Sequence, residues 1–175
     1  MAIRTPDDVL VLPCVSEAIK RGFIRISENR ITYSLNQERH YDWSDPEEWV
    51  RCHSVTWLIV ERDYPANRLR TEVTVPRRVP VDHADIVVYR DDSCREPYLV
   101  IENKSDPQRR TDRAQGIEQL FGNCNSLRAP FGLYDEFGFS CFYDIANHPP
   151  PSGKTTDLAN VPQSQSSTVR FRHTV

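Results

Sequence analysis

Two short apolar runs decide the fold: Ala84-Asp85-Ile86-Val87-Val88-Tyr89 and, after a polar turn, Tyr98-Leu99-Val100-Ile101-Glu102-Asn103-Lys104. Their length and near-continuous hydrophobicity are typical of central β-strands that are covered on both faces. Side chains alternate faces along a strand, so Glu102 and Lys104 point the same way, roughly 6 to 7 Å apart. If the two strands are neighbours, the carboxylate of Asp85 can meet that of Glu102.

The charged residues of these two runs favour a metal-dependent nuclease centre. A buried acid at the end of a strand is costly unless it is paired or bound to a metal. Two carboxylates held close together repel unless a hard cation lies between them, and Mg²⁺ prefers oxygen ligands. Asp85 and Glu102 therefore predict a Mg²⁺ site that the ammonium of Lys104 also faces. The alternative is an exposed charge pair at a strand end, because a single Glu-x-Lys pattern is common.

Length and composition limit the class of protein. The 175 residues, 38% hydrophobic and 27% charged, suit one soluble globular domain of ordinary size. No apolar run is long enough to span a membrane, and the acids and proline near the N-terminus argue against a signal peptide, so we expect a cytoplasmic protein. The five cysteines lack the close spacing of zinc ligands, and we expect them to be reduced and mostly buried.

The formal net charge of −3 argues against tight, stand-alone binding to nucleic acid, which usually requires a strongly basic balance. Any contact with DNA must then be local. The candidate basic patches are Arg77-Arg78 and Arg109-Arg110 with Arg113, although solvated surface charge is the alternative explanation for each patch.

Residue patterns divide the chain into a folded domain, residues 1–147, and a tail, residues 148–175. The tail is rich in proline, serine and glutamine and has too few apolar residues to pack, so it resembles a linker to a missing domain. The domain is predicted to contain helices at 7–20, 44–61 and from 111 or 112 onward, and strands at 23–26, 31–35, 69–75, 84–89, 98–104, 129–134 and 138–143.

Glu48 has an unusual position in the helix predicted over 44–61. The apolar stripe of this helix is Cys52, Val55 and Ile59, and Glu48 precedes Cys52 by one helical turn. Its carboxylate is thus expected to point toward the sheet. The alternative is that Glu48 caps the helix and favours its dipole.

The last predicted helix has a different distribution of polar and apolar residues. Its expected apolar stripe is Ala114, Ile117, Phe121 and Cys124. Gln115 and Gln119 share the other face of the helix.

Several motifs occur together between about Trp43 and Tyr143. Besides the two acid-bearing strands, they are Asp45-Pro46-Glu47-Glu48 with Val50-Arg51, Tyr64-Pro65, Glu72 within its strand, and Gly116-Ile117-Glu118-Gln119-Leu120. Together they resemble the N-terminal nuclease domain of type I restriction enzyme R proteins, a branch of the PD-(D/E)XK nucleases. The resemblance implies an α/β fold, a mixed central β-sheet flanked by helices with a restriction-endonuclease-like core.

The resemblance also assigns roles to residues by position. It implies a metal held by Asp85, Glu102 and Glu48, with the main-chain carbonyl of Asn103 as a further ligand and Lys104 as the catalytic lysine. The cofactor would be Mg²⁺, with Mn²⁺ as a substitute. Gln119 matches a glutamine near the active site of the family, and Gln115 on the same helical face would support the site or the DNA. The family commonly has a tyrosine four residues after that glutamine, where this chain has Asn123.

The activity that the resemblance implies is Mg²⁺-dependent endonucleolytic hydrolysis of DNA in a type I restriction-modification-like system. The domain would contact the DNA backbone and act with a helicase or methyltransferase domain or with other subunits of a larger complex. One alternative is a catalytically weakened DNA-binding or scaffolding module, which Asn123 and the acidic net charge favour. Another is a regulatory or assembly domain of a longer chain.

Overall fold

The computed structural model describes residues 5–76, 80–105, 110–136, 138–147 and 155–156, which form a mixed α/β fold as the resemblance implied. The helices are α1 (Pro6–Leu10), α2 (Pro13–Lys20), α3 (Pro46–Val60) and α4 (Arg110–Leu127), and a 3₁₀ turn covers Ala66–Arg68. The strands are β1 (Ile24–Ser27), β2 (Arg30–Ser34), β3 (Glu38–Asp42), β4 (Leu69–Val75), β5 (Asp82–Tyr89), β6 (Pro97–Lys104), β7 (Phe131–Glu136), β8 (Phe139–Asp144) and β9 (Thr155–Thr156).

The N-terminal helix predicted over residues 7–20 is two helices. Pro13 has no backbone N–H to donate, so it begins α2 at its first position instead of continuing α1. Thr5 caps α1, where its hydroxyl accepts from the N–H of Asp8. Both short helices pack against α3.

A small antiparallel sheet follows, with the strand order β1-β2-β3. The predicted hairpin of β1 and β2 is confirmed, with Ile26 opposite Ile31. The sequence did not predict β3, because its residues are exposed except for the half-buried Tyr41 and so show no apolar alternation.

The main sheet has the strand order β4-β5-β6-β7-β8-β9 in the described part of the chain. Only β6 and β7 are parallel among these pairs, and α4 connects them as a parallel pair requires. The two acid-bearing strands, β5 and β6, are antiparallel neighbours with Ile86 opposite Ile101. Both are central and almost entirely buried, as their apolar runs predicted.

Helices cover both faces of the main sheet. The first face packs against α1, α2, α3 and the small sheet, and its core includes Ile86 and Ile101. The second face packs against α4, and its core includes Val87 and Val100. Consecutive residues along each of these two strands thus belong to different cores. This arrangement places α3 and α4 on opposite sides of the acid-bearing strands.

α3 is buried on more sides than a surface helix. Its predicted stripe of Cys52, Val55 and Ile59 is buried as expected. Arg51 and Ser54 are also buried, because they face the sheet and contact Asp85 and Asp135 there. Thr56 is buried beside Cys14 of α2. Polar side chains of α3 must therefore find partners inside the protein.

The predicted stripe of α4 is partly wrong. Ala114 is exposed, and Ile117 and Phe121 are only half-buried. The ring of Tyr134 in β7 lies against the backbone of Gly116, so the missing side chain lets the helix approach the sheet closely here. The buried side of the helix is instead formed by Gly116, Leu120, Asn123 and Cys124.

The predicted tail, residues 148–175, lies outside the described residues except for β9, in which Thr155 pairs with Tyr143. The domain boundary at residue 147 stays a prediction. All five cysteines are free thiols, and four of them are buried as predicted. Among the described residues, no helix combines the length and hydrophobicity needed to cross a bilayer.

The contact between α4 and β7 predicts the effect of Gly116→Ala. A Cβ at this position would lie 2.6 Å from Cε2 of Tyr134, whose ring is fully buried. We expect a loss of about 1–3 kcal/mol in the free energy of unfolding from overpacking. This loss would exceed the gain of about 1 kcal/mol that alanine offers over glycine in a helix.

Chemical denaturation of both proteins measures this difference. Glu118→Ala, at an exposed position of the same helix, is the control and should change stability by no more than about 0.5 kcal/mol. A Gly116→Ala protein as stable as the wild type would contradict such close packing of α4 on Tyr134.

Candidate functional site

Asp85 and Glu102 lie side by side at the centre of the main sheet. The β5-β6 register pairs Ile86 with Ile101, and Asp85 and Glu102 lie one residue beyond this pair on their strands. Both side chains are buried, with 6% of Asp85 and 1% of Glu102 exposed. Opposed residues of antiparallel strands have Cβ atoms about 4.5–5.5 Å apart, so the two acids lie in one region, as the sequence predicted.

The carboxylate of Asp85 is held at both oxygens. Its Oδ2 accepts from the main-chain N–H of Asn103 at 2.7 Å, and its Oδ1 accepts from Nη2 of Arg51 at 2.8 Å. Each oxygen keeps a further lone pair. The orientation of Asp85 is therefore fixed by β6 and by α3 together.

Lys104 lies next to Glu102, on the side of the strand that the two-residue spacing predicted. Its Nζ donates to Oε1 of Glu102 at 2.8 Å. The same ammonium is 3.6 Å from Oε1 of Glu47 at the start of α3. Lys104 thus joins the end of β6 to the first turn of α3.

Arg51 is the second cation of the site, and its burial was not predicted from the sequence. Its guanidinium donates to Glu48 at 2.7 Å, to Asp85 and to Glu72. Its central carbon lies 4.9 Å from the ring centroid of Tyr41, a cation-π contact. Only 5% of Arg51 is exposed, so these partners replace its hydration.

Glu72 reaches Arg51 from an unusual backbone conformation. Its φ is +50°, a left-handed value that non-glycine residues adopt only at a cost of about 1–2 kcal/mol. The β4-β5 register runs from Thr71 opposite Ile86 to Val73 opposite Ala84, which leaves Glu72 at the level of Asp85. The side chain of Glu72 therefore meets Arg51 beside Asp85.

Glu48 points into the protein, as its place on the apolar stripe of α3 predicted, and 4% of it is exposed. Its Oε1 accepts from the hydroxyl of Tyr33 at 2.6 Å, and its Oε2 accepts from Arg51. The alternative, a capping role at the helix start, belongs to Asp45, whose side chain accepts from the N–H of Glu47.

Asn103 contributes its main chain on one side and its side chain on the other. Its N–H faces Asp85, and in an extended strand the carbonyl of the same residue points to the same side. Its side-chain amide donates to Ser54 of α3 at 2.8 Å, and Ser54 in turn donates to Asp135 of β7 at 2.7 Å. This buried network fixes the strand that carries Glu102 and Lys104.

The polar residues of α4 approach the site from the opposite face of the sheet. The side chain of Gln119 donates to Asp82 at 3.0 Å, at the start of β5. Asn123 is fully buried, and its amide lies 3.4 Å from Oε2 of Glu102 as a donor. Gln115 is exposed, one turn before Gln119. The helix thus reaches the acids through Asn123, the residue that departs from the family pattern.

The structure describes side-chain contacts for one residue of the basic patches proposed from the sequence. Arg113 pairs with Glu136 and lies over the ring of Phe139, so its charge is already neutralised. Arg77, Arg78 and Arg109 lie outside the described residues.

Burial dominates the electrostatics of the acids. Desolvation and, to a smaller extent, the neighbouring Asp85 raise the pKa of Glu102 to about 8, although Lys104 acts in the other direction. Desolvation likewise raises the pKa of Glu48 to about 7, although Arg51 and the hydroxyl of Tyr33 act in the other direction. Burial lowers the pKa of Lys104, but Glu102 and Asp85 outweigh it, so the net pKa lies above the ordinary value. Lys104 is therefore an ammonium at neutral pH.

Acids outnumber cations in this site. No group of three or more histidine, cysteine, aspartate or glutamate side chains in the described residues is placed to hold a metal ion as it stands. The arginine and lysine are interleaved with the carboxylates instead. The acids are Glu47, Glu48, Glu72, Asp85 and Glu102, and the cations are Arg51 and Lys104.

These features define a class: a mixed α/β domain with a helix-flanked central sheet and a buried acidic centre on its middle strands, compatible with a restriction-endonuclease-like fold. The family model for the N terminus of type I restriction enzyme R proteins matches residues 46–145, more than half of the chain. The chain therefore belongs to this family. A search of curated proteins finds no significant match.

The raised pKa of Glu102 predicts how stability depends on pH in the metal-free protein. The unfolded chain releases this proton near the ordinary value of 4.5, whereas the folded protein keeps it up to about 8. Because the folded state binds more protons between these values, the free energy of unfolding falls as the pH rises through this range and then levels off. The fall due to Glu102 is at most about 1.4 kcal/mol per pH unit.

Glu102→Gln should remove this part of the pH dependence. Chemical denaturation in EDTA from about pH 5 to about pH 9 measures it, with Glu118→Gln on the exposed side of α4 as the control that keeps the wild-type slope. Equal slopes for the wild type and Glu102→Gln would mean that the buried carboxyl does not hold its proton.

Proposed function

We propose that this domain hydrolyses phosphodiester bonds of DNA in a Mg²⁺-dependent reaction, as the nuclease part of a type I restriction enzyme R protein. The observation that carries the proposal is the pairing of Asp85 and Glu102 on adjacent buried strands, with the ammonium of Lys104 at 2.8 Å from Glu102. Membership of the R protein family supports DNA as the substrate.

The donor set of this site suits Mg²⁺. Mg²⁺ commonly binds through one or two carboxylates and completes its shell with water and substrate phosphate. Asp85 and Glu102 supply two such carboxylates, and the main-chain carbonyl of Asn103 would be a third oxygen donor on the side of Asp85. Mn²⁺, which accepts the same ligands, would substitute. Glu48, the fourth predicted ligand, has both oxygens in contact with protein donors.

The bound metal would polarise the scissile phosphate and lower the pKa of a bound water. Lys104, held as an ammonium by Glu102 and Glu47, would neutralise the negative charge that develops on the phosphoryl oxygens. Its raised pKa favours this role, or orientation of the attacking water through an N–H, over removal of a proton. Asp85 is kept in one orientation by Arg51 and the N–H of Asn103.

The remaining parts of the proposal concern partners. The domain would contact DNA through backbone phosphates near the site more than through bases, because sequence recognition would belong to other subunits or domains. Gln119 and Gln115 of α4 are candidate supports. Helicase or methyltransferase domains or subunits of a larger restriction complex would provide further DNA contacts. A cytoplasmic location stays a prediction.

Lys104→Ala tests the catalytic proposal. We expect Mg²⁺-dependent nicking of a supercoiled plasmid to fall by about 10²–10³-fold, the usual loss for one electrostatic group in a transition state. The fold should persist because Glu102 can remain protonated without its partner. Lys20→Ala, at an exposed position of α2, is the control and should cut as the wild type does.

Two results would contradict the proposal. Undiminished cutting by Lys104→Ala would remove Lys104 from the mechanism. A wild-type domain that binds DNA but never nicks it in Mg²⁺ or Mn²⁺ would favour the alternative, a DNA-binding or assembly module of a larger restriction enzyme.

A crystal soaked in Mn²⁺ tests the metal site directly. We expect an anomalous density peak in contact with both Asp85 and Glu102, because these acids lie on adjacent strands and interact electrostatically. A peak at another place, with none at this pair, would reject the proposed ligands.

A further inference from the structure

Arg51 connects the acids of α3, β4 and β5 through a single guanidinium. We propose that Arg51 is the positioning residue that orients Asp85 for metal binding, and that Glu48 acts on the site through Arg51 and not as a metal ligand. This inference rests on the proposed function and adds a role for a residue that the metal-binding pattern does not include.

Two donors fix the orientation of Asp85. A carboxylate can rotate about its last bond, and two donors from different elements prevent this rotation. One donor is the N–H of Asn103 at 2.7 Å, which belongs to the backbone of β6. The other is Nη2 of Arg51 at 2.8 Å. Arg51 is therefore the only side chain among the described hydrogen bonds that fixes the direction of Asp85.

Arg51 is itself held by several partners. Nη1 donates to Glu48, Nη2 donates to Glu72 and Asp85, and the guanidinium plane lies over Tyr41. A planar fork is needed for this arrangement, because one ammonium on a flexible stem cannot reproduce two separate nitrogen positions. Charge alone thus does not account for an arginine at this buried position.

Glu48 accepts hydrogen bonds from protein donors at both of its oxygens. Its two oxygens face Tyr33 at 2.6 Å and Arg51 at 2.7 Å, so the carboxylate is directed at protein donors. A glutamine could keep both contacts, with its oxygen accepting from Arg51 and its amide donating to the oxygen of Tyr33. A neutral isostere at position 48 should therefore preserve the hold on Arg51.

The test compares Arg51→Lys with Glu48→Gln by calorimetric titration of each protein with Mn²⁺ in the absence of DNA. If Arg51 orients Asp85, Arg51→Lys should bind Mn²⁺ about 10- to 100-fold more weakly than the wild type, as is usual when the partner of a metal ligand is changed. Glu48→Gln should lose clearly less affinity than Arg51→Lys. In plasmid cleavage, Arg51→Lys should lower kcat without raising KM for DNA.

The reverse order would overturn the proposal. If Glu48 binds the metal directly and Arg51 only balances charge, Glu48→Gln should lose tenfold or more in affinity while Arg51→Lys stays near the wild type. A wild type that binds no Mn²⁺ would instead reject the proposed function, and this inference with it. Equal, wild-type affinity for both variants would reject the positioning role alone.

A matched control separates positioning from folding. Arg68 is as buried as Arg51 and pairs with Asp92 at 2.6 Å, on the far end of β4 from Glu72. Arg68→Lys should therefore lower thermal stability without changing Mn²⁺ affinity. If Arg51→Lys lowers stability and affinity only to the extent that Arg68→Lys does, the positioning role is wrong.

Discussion

The rest of this structure depends on the burial of carboxylates between β5 and β6. Moving an ionised carboxylate out of water costs several kcal/mol unless charges and hydrogen bonds replace the lost hydration. At Asp85 the replacement comes from Arg51 and a main-chain N–H, and at Glu102 it comes from Lys104 and Asn123. Arg51 and Asn123 lie on helices that pack against these strands, whereas Lys104 and Asn103 belong to β6, so the acids constrain how the helices pack on the sheet.

This constraint explains features that a fold built for stability alone would not need. α3 carries an arginine inside the protein, and β4 holds Glu72 in a left-handed conformation. Strained backbone and buried charge are both costly, and they persist where the surrounding structure determines them, commonly at functional sites. The cores on either face of the sheet supply the compensating hydrophobic stabilisation.

The sequence predicted those parts of the site that follow from periodicity. Two apolar runs flanked by acids were enough to place Asp85, Glu102 and Lys104 on adjacent central strands, and helical spacing was enough to turn Glu48 inward. Arg51 could not be found this way, because an arginine on a helix is exposed by default and its burial depends on partners from β3, β4 and β5. The side of α4 that faces the sheet was misjudged for a related reason: a glycine contact and a buried Asn123 carry no hydrophobic signal.

The imbalance of charge links the architecture to the chemistry. Asn123 donates to Glu102 but is neutral, so it satisfies one oxygen without offsetting any of the excess negative charge. Burial is the main reason that the pKa values of Glu48 and Glu102 rise to about 7 and about 8, and the neighbouring acids add to the shift. A divalent cation near Asp85 and Glu102 would offset the excess of negative charge directly. One cationic residue at position 123 would have offset part of that excess, whereas asparagine leaves it available to a metal.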